Sequence, residues 1–154
     1  MSSRKLSSEE VEALMLYQLG ALDAFCRAAG SQLAYVKPHG ALYHDLLEDD
    51  QLLTAALSAC ARFCRGLPLM VLARVDNARE QRLADAVGVP VLFEAFADRA
   101  YLPDGRLVPR SQASAVHAEA EQTIVQGLAI ARGEPLGSSK WLGILESALP
   151  NGRH

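Results

Sequence analysis

The chain has 154 residues, enough for one domain with its own core, since a chain near this size buries roughly two-thirds of its unfolded surface. Its 15 Lys and Arg stand against 18 Asp and Glu for a formal charge of -3, which lacks the basic footprint of a nucleic-acid binder and the polybasic surface of a membrane-bound protein. Half the residues are apolar and only 6% aromatic, with Ala and Leu abundant, which favours a soluble α/β protein over an all-β sandwich.

The opening Met1-Ser2-Ser3-Arg4-Lys5 runs into Glu9 and Glu10 without the apolar core of a signal peptide, and no run reaches the roughly 20 apolar residues of a membrane span. A cytoplasmic location is expected. Cys26, Cys60 and Cys64 are odd in number and do not form a disulfide framework. Cys60 and Cys64 stand at helical spacing, but no second Cys or His pair completes a zinc site, so core packing is expected for all three.

Ser7-Ser8-Glu9-Glu10 is a helix start, with a hydroxyl to cap and a Glu placed for a capping box. Val11, Leu14, Met15, Leu22, Phe25, Cys26 and Ala29 follow at helical spacing until Gly30, which predicts an amphipathic helix from about Ser8 to Ala29. Gln18 lies on that stripe, either as a core-edge amide bonded to backbone or as a polar group supporting a site.

A short strand is predicted from Gln32 to Val36, ending in Lys37-Pro38-His39-Gly40. Pro38 has no backbone donor and holds Lys37 extended, while Gly40 opens backbone shapes closed to other residues. Lys37 and His39 are then presented at a loop mouth, where parallel α/β sheets usually bind ligands. Acidic Glu48, Asp49 and Asp50 precede Leu52, Leu53, Ala56, Leu57, Cys60 and Cys64, predicting a second helix from about Asp49 to Cys64.

Gly66-Leu67-Pro68 breaks that helix, and Leu69 to Ala73 reads as a strand buried on both faces. A charged helix from Ala78 to Val87, capped by Asp76 or Asn77, and a strand from Val91 to Phe96 follow. The segment 97–110, with its Pro103-Asp104-Gly105 turn, is predicted to be a long functional loop. Ser114 to Arg132 reads as a further amphipathic helix, and Trp141, Leu142, Ile144, Leu145 and Leu149 as a short one in the tail. Alternating helices and strands predict a parallel sheet, either doubly wound or part of a β/α barrel.

Two polar clusters stand at predicted strand ends: Lys37, His39, Tyr43 and His44, then Glu94, Asp98, Arg99 and Tyr101. A His beside a carboxylate moves protons, and Lys or Arg can hold a substrate carboxylate or a developing oxyanion. Glu94 lies in an apolar strand, where an unpaired carboxylate is costly. A purely architectural reading also fits, with Lys37 and Glu94 as a buried ion pair, Asp98 and Arg99 organising a turn, and Tyr101 covering the core edge. His39 and His44 are five apart and would not share a helix face as metal ligands do, so no metal site is assigned. There is no Walker loop, Rossmann fingerprint or nucleophile elbow.

Three stretches resemble a known family: Tyr17 to Leu22, Val36 to Tyr43, and Glu94 to Tyr101 running on through Asp104-Gly105 to Arg110. The family is LamB/YcsF, the A-type component of bacterial 5-oxoprolinase. The resemblance implies part of an irregular β/α barrel, similar to polysaccharide deacetylases, in an ATP-dependent hydrolase that opens 5-oxo-L-proline to L-glutamate with two partner subunits. ATP is thus an implied cofactor, and a divalent metal is compatible with the resemblance. His39, Lys37, Glu94 and Asp98 are the catalytic candidates it implies, and Arg99, Tyr101 and Tyr43 the substrate-binding ones. Lys37 or Arg99 would bind the substrate carboxylate or lactam oxygen, and His39 with Glu94 or Asp98 would transfer protons.

Family motifs of the Asn-Cys-Asp-Leu-Gly-Glu, Ala-Cys-Gly-Phe-His-Ala-Gly-Asp, Gly-Ala-His-Pro and Val-His-Gly-Asp types are absent. The chain therefore resembles the middle of a family member, with residues 1–135 an incomplete domain and 136–154 a divergent tail. A truncated product is expected. The alternatives are a non-catalytic fragment acting through association with itself, as a homo-oligomer, or with the partner subunits, and a metal-dependent deacetylase-like hydrolase suggested by fold analogy.

Overall fold

The computed structural model describes residues 6–134, so the tail helix predicted around Trp141 lies outside them. They fall into two compact units. Of the described residues, one unit takes those up to Leu72 together with Asn77–Glu94, and the other takes Ala73–Asp76 and those from Ala95 on.

In the first unit, α1 (Ser8–Ala28) starts at a full capping box: Glu10 N donates to Ser7 Oγ at 3.2 Å, and Ser7 N donates to Glu10 Oε2 at 2.9 Å. Its buried residues Val11, Met15 and Leu19 pack toward α3 (Asp50–Phe63). Leu14, Leu22 and Phe25, assigned to the same stripe by spacing, are exposed instead, as is Tyr17. The apolar face of α1 is wider than the surface α3 offers it.

The strand expected from Gln32 to Val36 reduces to a single parallel bridge between Val36 and Leu69. Val36 N donates to Pro68 O at 2.8 Å and Met70 N to Val36 O at 2.7 Å. Since β1 (Leu69–Leu72) begins only at Leu69, residues before Val36 have no strand alongside them. The helix expected from about Asp49 to Cys64 is α3, and a helix that was not expected, α2 (Gly40–Glu48), precedes it. Gly40 takes φ +63, the left-handed backbone that lets the chain swing from the extended His39 into α2. Asp49, at φ -127 and ψ 111, breaks the helical run and caps α3 by accepting from Gln51 N at 2.8 Å and Leu52 N at 3.2 Å.

β1, α4 (Ala78–Val87) and β2 (Val91–Glu94) form a parallel pair with its crossover helix, in the register Leu69 to Val91 through Leu72 to Glu94. This is a mixed α/β fold with parallel strands and helices. Leu53, Ala56, Leu57 and Cys60 of α3 and Leu69 and Val71 of β1 fill the core. Arg79 ties α4 to its neighbours, donating to Asp50 Oδ1 at 2.6 Å, Leu46 O at 3.1 Å and Glu80 Oε1 at 2.9 Å. All three cysteines are free. Cys60 is buried as expected, Cys26 is half-buried, and Cys64, at the end of α3, is exposed rather than packed.

The second unit holds the long loop and α5 (Ala120–Ala131). α5 begins later than Ser114 because residues 115–117 serve the loop. Val116 bridges Arg99, Ala115 O accepts from Ala100 N at 3.1 Å, and His117 N donates to Asp98 O at 2.9 Å. Gly105 sits at φ +81 in the Pro103-Asp104-Gly105 turn, where a Cβ would come within 2.9 Å of Val75 N. No described helix is long and apolar enough to cross a membrane.

Candidate functional site

Pro38 keeps Lys37 extended, and the Val36 bridge fixes where that extended backbone lies against β1. Val36 stands level with Leu69 and Glu94 with Leu72, so Lys37 and Glu94 start about two residues, or about 7 Å, apart along the strands. The four-carbon arm of lysine spans such an offset. Lys37 Nζ is ion-paired with Glu94 Oε1, the side chains being 24% and 19% exposed.

The other carboxylate oxygen is also taken. Tyr43, in the first turns of α2 and buried, donates its hydroxyl to Glu94 Oε2 at 2.7 Å. The Lys37 ammonium lies 5.7 Å from the centroid of the Tyr43 ring, within cation–π range. His44 meets the edge of that ring at 5.6 Å between centroids and 85° between planes. Three elements thus converge: the Val36 bridge brings the cation, β2 the carboxylate and α2 the phenol.

His39 is exposed at the start of α2 and makes no side-chain capping bond there. It borders a cleft of about 320 Å³ together with Lys37, Tyr35, Gln18, Leu19 and Leu33. Gln18 is an exposed cleft residue and not a core-edge amide. Lys37, whose ammonium is held by the Glu94 carboxylate, and His39 line one cleft with apolar walls. Such a cleft can receive a small anionic ligand with a partly apolar body.

Asp98, Arg99 and Tyr101 belong to the second unit. Asp98 is exposed, and its carboxylate has no hydrogen bond to another described residue. Arg99 is buried, with Nε donating to Ala115 O at 3.0 Å and an Nη to Val108 O at 2.8 Å, so its guanidinium pins the loop from inside. The Tyr101 hydroxyl accepts from Phe96 N at 2.7 Å. Asp104 accepts from Arg106 N at 3.0 Å and Arg106 Nε at 2.7 Å, and these bonds, the backbone one first, hold its carboxyl below the ordinary range.

Two residues that spacing did not single out organise this unit, Gln126 and His117. Gln126 is buried on α5, and its amide nitrogen donates to Phe96 O, Ala97 O and Arg99 O at 2.7, 3.2 and 2.7 Å. The signal in the sequence was an amide set among Ile124, Val125, Leu128, Ala129 and Ile130 in the apolar second half of α5.

Among the described residues no three His, Cys, Asp or Glu side chains stand together as a metal-ligand set, so the donors present do not fit a divalent ion. The turn into α2 contains one glycine, and Pro38 removes a backbone donor from it, so it lacks the row of N–H groups that cradles a nucleotide phosphate.

Comparison with known proteins adds the wider context. A family model described as LamB/YcsF family matches residues 3–139. Over 128 residues the chain is 67% identical to a 5-oxoprolinase A-type component of Pseudomonas aeruginosa, covering 83% of this chain and 51% of that protein. It is 51% identical over 130 residues to the corresponding 5-oxoprolinase component of Chromohalobacter salexigens, covering 84% of this chain and 52% of that one. The crystal structure of a lactam utilization protein from Thermus thermophilus superposes with a TM-score of 0.73 at 41% identity, over 83% of this chain and 51% of that one. The chain spans about half the length of the curated relatives it matches.

Proposed function

The chain belongs to the LamB/YcsF family, and from that premise we propose that it carries part of a site for hydrolytic opening of the lactam of 5-oxo-L-proline to L-glutamate. The reaction is ATP-driven and shared with two partner subunits. The observation that carries this reading is the Lys37, Glu94 and Tyr43 constellation, whose Lys37 lines the cleft that His39 borders.

Glu94 and Tyr43 hold the Lys37 ammonium at the cleft, where it binds the substrate carboxylate or the lactam oxygen. Water adds to the lactam carbonyl carbon, the carbon–nitrogen bond breaks, and the ring nitrogen leaves with a proton. His39, exposed and bordering the same cleft, is the group placed to move protons, with Asp98 the second candidate. Arg99 and Tyr101 support the reaction by shaping the loop that carries Asp98. ATP hydrolysis supplies the driving force, and no phosphate contact is assigned to these residues.

The same reading takes β1, β2 and the Val36 bridge as part of an irregular β/α barrel and places the protein in the cytoplasm, in keeping with its free thiols. The test is 5-oxoproline-dependent ATP hydrolysis by the chain mixed with its two partner subunits. Turnover is expected, with Lys37→Met raising KM. Absence of turnover beside an active full-length homologue sinks the reading for this chain. A second reading, action through association alone, is favoured by the exposed apolar face of α1, where Tyr17 and Phe25 are each 75% exposed. Light scattering on the isolated chain separates the two.

A further inference from the structure

The loop after β2 has its backbone oxygens gathered by two neighbouring residues. Phe96 O, Ala97 O and Arg99 O all accept from the Gln126 amide nitrogen, and Asp98 O accepts from His117 N at 2.9 Å. Four consecutive carbonyls are thereby fixed. Gln126 is 3% exposed, so water does not compete for these bonds. The two residues are also joined to each other, with Gln126 Oε1 and His117 Nε2 3.0 Å apart.

Chemistry sets the orientation of this network. An amide turned the other way would press its oxygen against three carbonyl oxygens, so the nitrogen must face them. Gln126 Oε1 can only accept, hence His117 Nε2 must carry the proton that bridges them. The turn so held bears the Asp98 carboxylate, exposed and with no bond to another described residue.

We propose that Gln126 is a positioning residue, which with His117 fixes the 96–99 turn and so sets where the Asp98 carboxylate stands. The functional part of this rests on the reaction assigned above, in which Asp98 is a candidate for proton transfer. Gln126 itself touches no reacting atom. It acts by removing the freedom of a turn whose misplacement by about 1 Å costs about 100-fold in rate.

The experiment has two arms on the full chain. In the first, NMR of nitrogen-15-labelled protein is expected to show His117 as the Nε2–H tautomer and the Gln126 side-chain amide exchanging far more slowly than that of exposed Gln18. An Nδ1–H tautomer, or equal exchange of the two amides, overturns the clamp. In the second, Gln126→Met is assayed with the partner subunits, 5-oxo-L-proline and ATP, alone and combined with Asp98→Asn.

The single change is expected to lower kcat by about 10- to 100-fold with KM within about twofold, and to add nothing once Asp98 is replaced. An unchanged kcat, or an equal loss in both backgrounds, overturns the positioning role. If wild-type protein shows no 5-oxoproline-dependent turnover, the reaction assignment fails on its own, and the first arm still decides whether Gln126 holds the turn.

Discussion

Glu94 accepts at both carboxylate oxygens, and its two donors differ in what their loss costs. The Lys37 pair is partly open to water at 24% and 19% exposure, which places it between exposed pairs, worth up to about 1 kcal/mol, and fully buried ones. A double-mutant cycle of Lys37→Met and Glu94→Gln, read by denaturant unfolding, is expected to give a coupling of about 1–2 kcal/mol. Tyr43 is 8% exposed, and a hydrogen bond to a charged group contributes about 1.5–3 kcal/mol. Tyr43→Phe is therefore expected to cost at least as much stability as breaking the ion pair, and a smaller cost would mean that Tyr43 does not anchor Glu94. The partnership of Lys37 and Glu94 was legible in the sequence, because a carboxylate inside an apolar strand needs a counter-charge. Tyr43 as the second anchor was not, since α2 itself was hidden. At Cys60, burial pushes the thiol from 9.0 up to about 12. The unfolded chain thus loses this proton first, so the contribution to stability is complete below about pH 9 and declines as pH rises toward 12. Denaturant midpoints from pH 8 to 10.5 are expected to fall in the wild type and to fall less steeply in Cys60→Ala.

The elements that were legible carry their own start signals, and those that were not depend on distant neighbours. α1 announced itself by the Ser7 and Glu10 capping box, and β1 and β2 by apolar runs between proline breaks. α2 was masked because Pro38 and Gly40 read as terminators, and it has no side-chain cap to betray it. The early strand shrank to Val36 because strand length is set by what lies alongside, and α5 started late because the loop draws in residues 115–117. The turn at Gly105 tests the loop as an element. Gly105→Ala forces a side chain into a φ +81 backbone and against Val75 N. A loss of about 2 kcal/mol or more is expected from strain plus overlap, measured by thermal unfolding. A change below about 0.5 kcal/mol would mean that the turn moves freely.

For the whole molecule, residues Leu14, Tyr17, Leu22 and Phe25 of α1 are 43%, 75%, 54% and 75% exposed. An apolar stripe of this kind on a chain spanning about half the length of its relatives is expected to drive association. Light scattering should show species heavier than a monomer at micromolar concentration, and Tyr17→Glu with Phe25→Glu should return the protein to monomer. A monodisperse wild-type monomer with a cooperative melt would count against association. Composition and alternation gave the α/β class, while the lactam chemistry entered through the motifs from Val36 to Tyr43 and Glu94 to Arg110. Residue types alone favoured an architectural ion pair for the Lys37 and Glu94 cluster.

Arg99 reaches Val108 O and Ala115 O, positions 9 and 16 residues further along the chain. This guanidinium therefore joins the backbone bonds that close a long excursion of the chain. The backbone bonds at Ala100, Val108 and His117 tie the same segment, which is therefore expected to open as one unit. To a protease that cuts beside arginine, exposed Arg106 and Arg110 are surface targets, whereas the bond after Arg99 becomes available only when the whole segment lets go.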